Sequence, residues 1–437
     1  MVNRLDAQEK ILLAAGIVAL PAYLLFFSSG NFNYLIGVNQ LLKGQSLYGP
    51  EFVGSANPFG AKIYVYLPVF AIANAVPLAP VYFILKVLVG TPNPTVGGVQ
   101  NTVFIAAGLA TTGFWAYLSL LAIPYSAKYL FDNASIRRIA TLILISFPLL
   151  WVQTIASGTN SLVALLAMAG LISVRQHRFR LAGLFVGLST FKFNGLPFAL
   201  VLFLYVLYAY EIKYAFSVAI GGIASQIPNI VYFLVFPDDL YMIIRRRGAL
   251  SAHAHEIGGI FLSPVKATGV QSLYIDIVFP VLIGLCVIIG VFVAVRSDAG
   301  LPAGLAVGFL STSYFVPGEH RILPFLLLLL VLAVPVIKLR VIKALVVSVF
   351  VAASYYRFVT IASDSFILGL TSEHIEYIGI SDISNVLFFI LQLTALLSFF
   401  VVVYYIERSD WAWTEPGQTS PLNSGRSNAV ESENPAR

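Results

Sequence analysis

The sequence is short of charge, of cysteine and, in its first third, of aspartate. Asp, Glu, Lys and Arg make up 11% of its 437 residues, less than half the roughly 25% of an ordinary soluble domain. So little charge excludes a water-soluble fold for most of the chain. Cys286 is the single cysteine, so no intramolecular disulfide can form. Ten-residue segments of alternating polarity are missing, which argues against a transmembrane barrel. No basic stripe interleaved with aromatics occurs, so no nucleic-acid partner is expected. No aspartate lies between Asp6 and Asp132.

What remains is apolar, at 59% of the chain. Apolar segments recur at 11–27, 63–88, 102–127, 138–157, 161–174, 181–210, 214–236, 273–295, 301–316, 322–337, 343–361 and 384–406. Most are long enough to cross a hydrocarbon core of about 30 Å. The expected fold is all-α: a polytopic transmembrane helical bundle of about 12 apolar segments, some of them broken or hairpin-like. Segment 11–27 follows Arg4 and Lys10. No small-x-small cleavage site follows it, so it is read as a retained helix rather than a signal peptide. Residues 1–406 form one transmembrane domain on this reading. The polar stretch 407–437, rich in Ser, Asn and Pro, is expected to be a disordered cytoplasmic tail.

The formal charge of +6 reads first as topology and contact with membrane lipids. The basic loops are Arg175-Gln-His-Arg-Phe-Arg180, then Lys128 with Arg137 and Arg138, then Lys338, Arg340 and Lys343. Placing all three in the cytoplasm requires 63–88 and 181–210 each to go in and come back. Both termini are then cytoplasmic. Segments 28–62, 89–101, 237–272, 317–321 and 362–383 face outward, with most of the unusual polar residues. The active face is expected to be extracytoplasmic, in a plasma membrane.

Several groups on that face suit chemistry. The first external loop runs from Gly30 through Asn31, Asn33 and Tyr34 to Tyr48. Apolar residues at 32, 35, 38, 41 and 42 suit a short helix that Gly44 ends. Its plain reading is an interfacial anchor, with Tyr34 and Tyr48 at headgroup depth. Arg245, Arg246 and Arg247 suit a phosphate clamp or a lipid headgroup. Glu319-His320-Arg321 joins three ionisable side chains at a membrane boundary; an ordinary turn with a snorkelling arginine is the alternative. Lys192 sits in a broken apolar stretch and requires an anion, a carbonyl or water there. His253-Ala-His255-Glu256 matches no dependable metal spacing. Neither a metal nor a cofactor is expected.

Five segments, in order, resemble glycosyltransferases of the C superfamily (GT-C), most closely family 87, which use polyprenyl-phosphate sugars. They are Tyr34 with Lys43-Gly-Gln-Ser-Leu-Tyr48, Tyr64-Val-Tyr-Leu-Pro68, Ser157-Gly-Thr-Asn-Ser161, Arg178 to Pro197 with Phe191-Lys192-Phe193, and Tyr314 to Pro324. The resemblance implies inverting transfer of a sugar, such as mannose or arabinofuranose, from a polyprenyl-phosphate carrier to a glycan or lipid acceptor. It also implies a base for the acceptor hydroxyl and cations for the leaving phosphate. Asn31, Asn33, Tyr34, Lys192, Arg245, Arg246, Arg247 and Arg321 are the expected binding residues. The family's first-loop aspartate matches Asn31 or Asn33 here, and an amide cannot take a proton as a carboxylate does. Glu319, His320 and Glu51 are the remaining candidates for the base. The alternatives are a non-catalytic relative that binds lipid-linked sugars or scaffolds an envelope complex, and a secondary transporter.

Overall fold

The computed structural model describes residues 29–48, 67–93, 98–108, 160–192, 195–243, 279–297 and 300–305, with a few single positions besides. Among them every regular element is helical: α1 Ser29–Leu42, α2 Pro68–Leu88, α3 Asn160–Arg175, α4 Phe179–Ser189, α5 Leu196–Ala209, α6 Ile212–Val235 and α7 Phe279–Arg296. At 1.5 Å per residue α2 reaches about 31 Å and α6 about 36 Å, and both are apolar enough to cross a membrane. Their outer faces leave Val76, Val87 and Leu88 on α2 and Ile223, Ile227 and Leu234 on α6 uncovered. Such a face is stable in lipid and not in water. The protein is a membrane-embedded helical bundle.

Helices α3 to α6 form its described core. Phe179, at the start of α4, packs its ring 4.5 Å from that of Tyr214 and 4.9 Å from that of Tyr210. Further along α4, Gly187 lies against Gly222 and Ser225. Helices α4 and α6 therefore point the same way and touch directly, and α5 joins them along the chain. Residues 181–210 thus form the expected helical hairpin. Helix α4 has 11 residues, about 16 Å, so its tip lies beside the middle of α6 rather than at its end.

The second expected hairpin is absent. Pro68–Leu88 is one continuous helix with Pro77 and Pro80 inside it. Pro68 stands in the first turn, where a missing N–H leaves no bond unmade. Pro77 and Pro80 are exposed, which keeps their rings out of the packed interface. The charge balance that placed both termini in the cytoplasm needed two hairpins, so it no longer closes.

The interfacial-anchor reading of the first loop is also corrected. Helix α1 forms as the spacing predicts, but every residue from Tyr34 to Gln40 is buried. Leu35, Ile36 and Val38 join Ala75, Leu78 and Tyr82 of α2 and Phe104 in one apolar cluster. Tyr34 and Tyr48 are likewise inside the protein. Gly44, with φ 69°, ends α1 as anticipated. Its N–H donates to Leu41 O and that of Gln45 to Gln40 O, which answers the helix's last carbonyls.

Candidate functional site

The broken stretch between α4 and α5 turns on Lys192. Gly195 donates its N–H to Lys192 O at 2.8 Å. A side chain at 195 would begin 2.2 Å from Ser189 O, so only glycine lets the chain fold back there. This turn drives the Lys192 side chain inward, where it is 1% exposed.

The surroundings of Lys192 come from three separate segments. Its Nζ lies 5.9 Å from the centre of the Tyr34 ring, supplied by α1. The Tyr34 ring meets Phe70 edge-on at 4.7 Å, and Phe70 stacks on Phe191 at 4.8 Å. Leu67 N–H donates to Phe191 O at 3.0 Å, tying the start of α2 to the hairpin tip. An ammonium facing an aromatic ring gains from the ring's negative face. An ammonium at that depth is costly unless paired or functional.

A polar seam on α6 holds these segments in register. Gln226 Nε2 donates to Gly187 O at 2.8 Å and to Thr190 Oγ1 at 3.2 Å. Its Oε1 accepts from Asn229 Nδ2 at 2.7 Å. Asn229 Oδ1 in turn accepts from Val69 N–H at 2.7 Å. The last of these bonds answers an N–H that the first turn of α2 leaves unpaired, and the first adds a third donor to Gly187 O beside the N–H and hydroxyl of Thr190. In a membrane interior such groups have no water to turn to.

The seam continues to the last part of the first loop. Tyr232 OH accepts from Leu47 N–H at 2.7 Å and donates to Asp239 Oδ2. Ser46 Oγ donates to Asp239 Oδ1 at 2.6 Å and accepts from Tyr48 N–H at 3.1 Å. Asp239 itself is 6% exposed. A buried carboxylate is thus placed against the Gly-x-x-x-Tyr segment although the loop carries no aspartate of its own. Lys43, half-buried just after α1, is held below the ordinary lysine range because burial disfavours its charged form.

Of the residues singled out in the sequence, Tyr34 and Lys192 meet. Asn31 and Asn33 lie on the α1 backbone. Glu51, Arg245, Arg246, Arg247, Glu319, His320 and Arg321 lie outside the described residues. The sequence reading gave no role of their own to Ser46, Gln226, Asn229, Tyr232 and Asp239. One signal was there: polar side chains at 225, 226, 229 and 232 mark one face of an apolar helix.

Among solved structures the chain resembles ArnT from Cupriavidus metallidurans bound to undecaprenyl phosphate. The identity is 13%, the TM-score is 0.41, and the match covers 91% of this chain and 77% of that one. A likeness of that size fixes neither an activity nor a ligand. No protein-family model matches the chain, and no curated protein does.

Proposed function

We propose that the chain is a membrane glycosyltransferase that moves a hexose or pentose from a polyprenyl-phosphate carrier to a glycan or lipid acceptor. The observation that carries this reading is the buried ammonium of Lys192 against Tyr34. Three of the five segments that resemble family 87 transferases contribute to this one place: the first loop, the lead-in to α2 and the Phe191-Lys192 break. A polyprenyl phosphate combines an anionic head with an apolar tail. A buried cation inside a bundle with lipid-facing walls suits both halves.

The chemistry follows from the groups. The acceptor oxygen attacks the anomeric carbon as the bond from that carbon to the phosphate oxygen breaks. The electron pair leaves with the phosphate, whose growing charge Lys192 stabilises. Arg321 and the Arg245–Arg247 run are proposed as further contacts to the same phosphate.

Binding of a polyprenyl monophosphate to the full chain in lipid nanodiscs tests the reading. A charge-assisted hydrogen bond is worth about 1.5–3 kcal/mol, so Lys192→Ala should weaken binding by roughly 10- to 100-fold. Arg321→Ala should weaken it to a similar degree. Unchanged affinity in a folded Lys192→Ala protein overturns the phosphate site. The Asn31 and Asn33 departure favours a second reading, a carrier-binding relative without transferase activity. Its signature is a wild type that binds the carrier and turns over no polyprenyl-phosphate sugar.

A further inference from the structure

We propose that Asp239, reached through the Ser46 hydroxyl, accepts the proton of the incoming acceptor hydroxyl. The inference rests on the transferase reading and names the base that the first loop lacks. A hydroxyl is a weak nucleophile until its proton has somewhere to go. Asp239 is more than nine-tenths buried, yet no lysine or arginine among the described residues forms an ion pair with it. Its two oxygens are held instead by hydroxyls, Ser46 Oγ at 2.6 Å and Tyr232 OH.

The direction of the hydrogen bonds sets the route. Ser46 Oγ accepts from Tyr48 N–H and points its own hydrogen at Asp239. A serine oxygen has two acceptor lone pairs, so one remains for an acceptor hydroxyl. Ser46 is half-buried and borders the exposed Gly44 and Gln45, so this part of the loop is within reach of an incoming hydroxyl. The acceptor proton passes to Ser46 Oγ as the serine proton passes to Asp239. The freed acceptor oxygen then bonds to the anomeric carbon, and the phosphate leaves with the electron pair of the broken bond. Asp239 later returns its proton through Ser46 to water.

Hydrogen bonds along α6 link the base to the turn that carries the cation. Asn229 pins Val69, two residues beyond Leu67, which bonds to Phe191 beside Lys192. Tyr232 stands three residues further, about 4.5 Å along the α6 axis, and leads to Asp239. Among the described residues, the titratable groups near Asp239 include Tyr232 from α6, Tyr48 from the first loop, whose ring lies 6.3 Å from that of Tyr232, and the exposed Asp238 beside it in the chain.

The test is turnover of a labelled polyprenyl-phosphate sugar by the full chain in nanodiscs, with carrier binding measured on the same samples. Asp239→Asn should lose roughly 10²- to 10⁴-fold in rate while keeping the carrier affinity of the wild type. Ser46→Ala should lose less, and Ser46→Thr should recover most of that loss. Asp239→Glu keeps a carboxylate and should recover part of the Asp239→Asn loss. If Asp239→Asn does not fold, the Ser46 pair decides, with Ser46→Ala expected to lose rate at unchanged carrier affinity. Near-wild-type turnover by Asp239→Asn or by Ser46→Ala overturns the inference. So does a wild type that binds the carrier and turns over no donor. Loss of carrier binding by Lys192→Ala alongside active Asp239→Asn sinks this inference and leaves the transferase reading standing.

Discussion

The two halves of α6 grip the same hairpin by opposite means. In the first half the contact is backbone on backbone. A side chain added at Gly221 would begin 2.0 Å from Arg180 O, and one at Gly183 of α4 would begin 1.9 Å from Val218 O. In the second half the contact is made by side-chain amides and hydroxyls, with Gln226 on Gly187 O and Thr190 Oγ1, and Asn229 on Val69 N–H. The difference lies in the partner. Where α4 runs unbroken, its backbone bonds are internal, so helices associate by shedding side chains and coming close. Where α4 stops at Ser189 its ladder ends, and α6 adds side-chain donors to a last turn that Thr190 also holds. The polar half is also the half that reaches the Lys192 and Asp239 clusters. The broken helix is the one that presents the cation.

The sharpest way to break this comparison is a pair of alanines one residue apart. Gly221→Ala places a methyl in the backbone of α4 and should destabilise the protein by roughly 2–3 kcal/mol or more, as overpacking does. At Gly222 the nearest atom to an added side chain is Gly183 O at 3.8 Å. Gly222→Ala should therefore be neutral or up to about 1 kcal/mol stabilising, from helix propensity alone. Thermal unfolding in one detergent compares them. Equal midpoints would show that close approach does not govern the first half.

The next effect belongs to the polar half. Asn229→Ala leaves Val69 N–H and Gln226 Oε1 without their partner, and each buried orphan costs about 1–3 kcal/mol. Gln226→Ala should cost less, about 1–3 kcal/mol in all, because Asn229 Nδ2 is the one buried group it orphans. Gly187 O keeps the Thr190 N–H at 3.2 Å and the Thr190 hydroxyl at 2.7 Å. Unfolding midpoints of the two variants measure the order, and the reverse order would contradict the seam as drawn. Loss of carrier binding in Asn229→Ala, at a temperature where it stays folded, would tie the seam to the site.

The smallest effect lies outside the membrane spans. The ammonium of Lys43 is partly desolvated, which holds it below the ordinary value of 10.5. Between the folded and unfolded values the unfolded chain binds more protons, so stability should rise as pH climbs through the folded value toward 10.5. Lys43→Met removes that slope. A wild-type midpoint that falls with pH in the same window, relative to Lys43→Met, would contradict the sign.

Part of this was legible before any coordinates. The α1 helix and its Gly44 stop were readable, because a spacing of three and four residues and a glycine with positive φ are local properties. So was the 181–210 hairpin, because Lys192, Gly195 and Pro197 break one apolar run. The 63–88 hairpin was a misreading. Prolines alone signal a break, but an exposed proline in an apolar helix can be carried without one. The anchor reading of Tyr34 and Tyr48 failed for a related reason: an aromatic at a membrane boundary has the same sequence signature whether lipid or protein covers it.

Composition alone determined that the chain lives in lipid and folds as helices. With so few charges, hydrocarbon is its solvent, and there every backbone group must be bonded internally. Local pattern also determined that Lys192 interrupts a helix. Which groups meet at that interruption was decided only by packing. Tyr34 lies 158 positions before Lys192, and Ser46 lies 193 positions before Asp239. No local signal links such residues. They meet because α4 folds back at Gly195 and α6 passes both the hairpin tip and the first loop. One helix then bonds backbone groups from three distant segments, with the cation's turn beside its middle and the carboxylate just past its end.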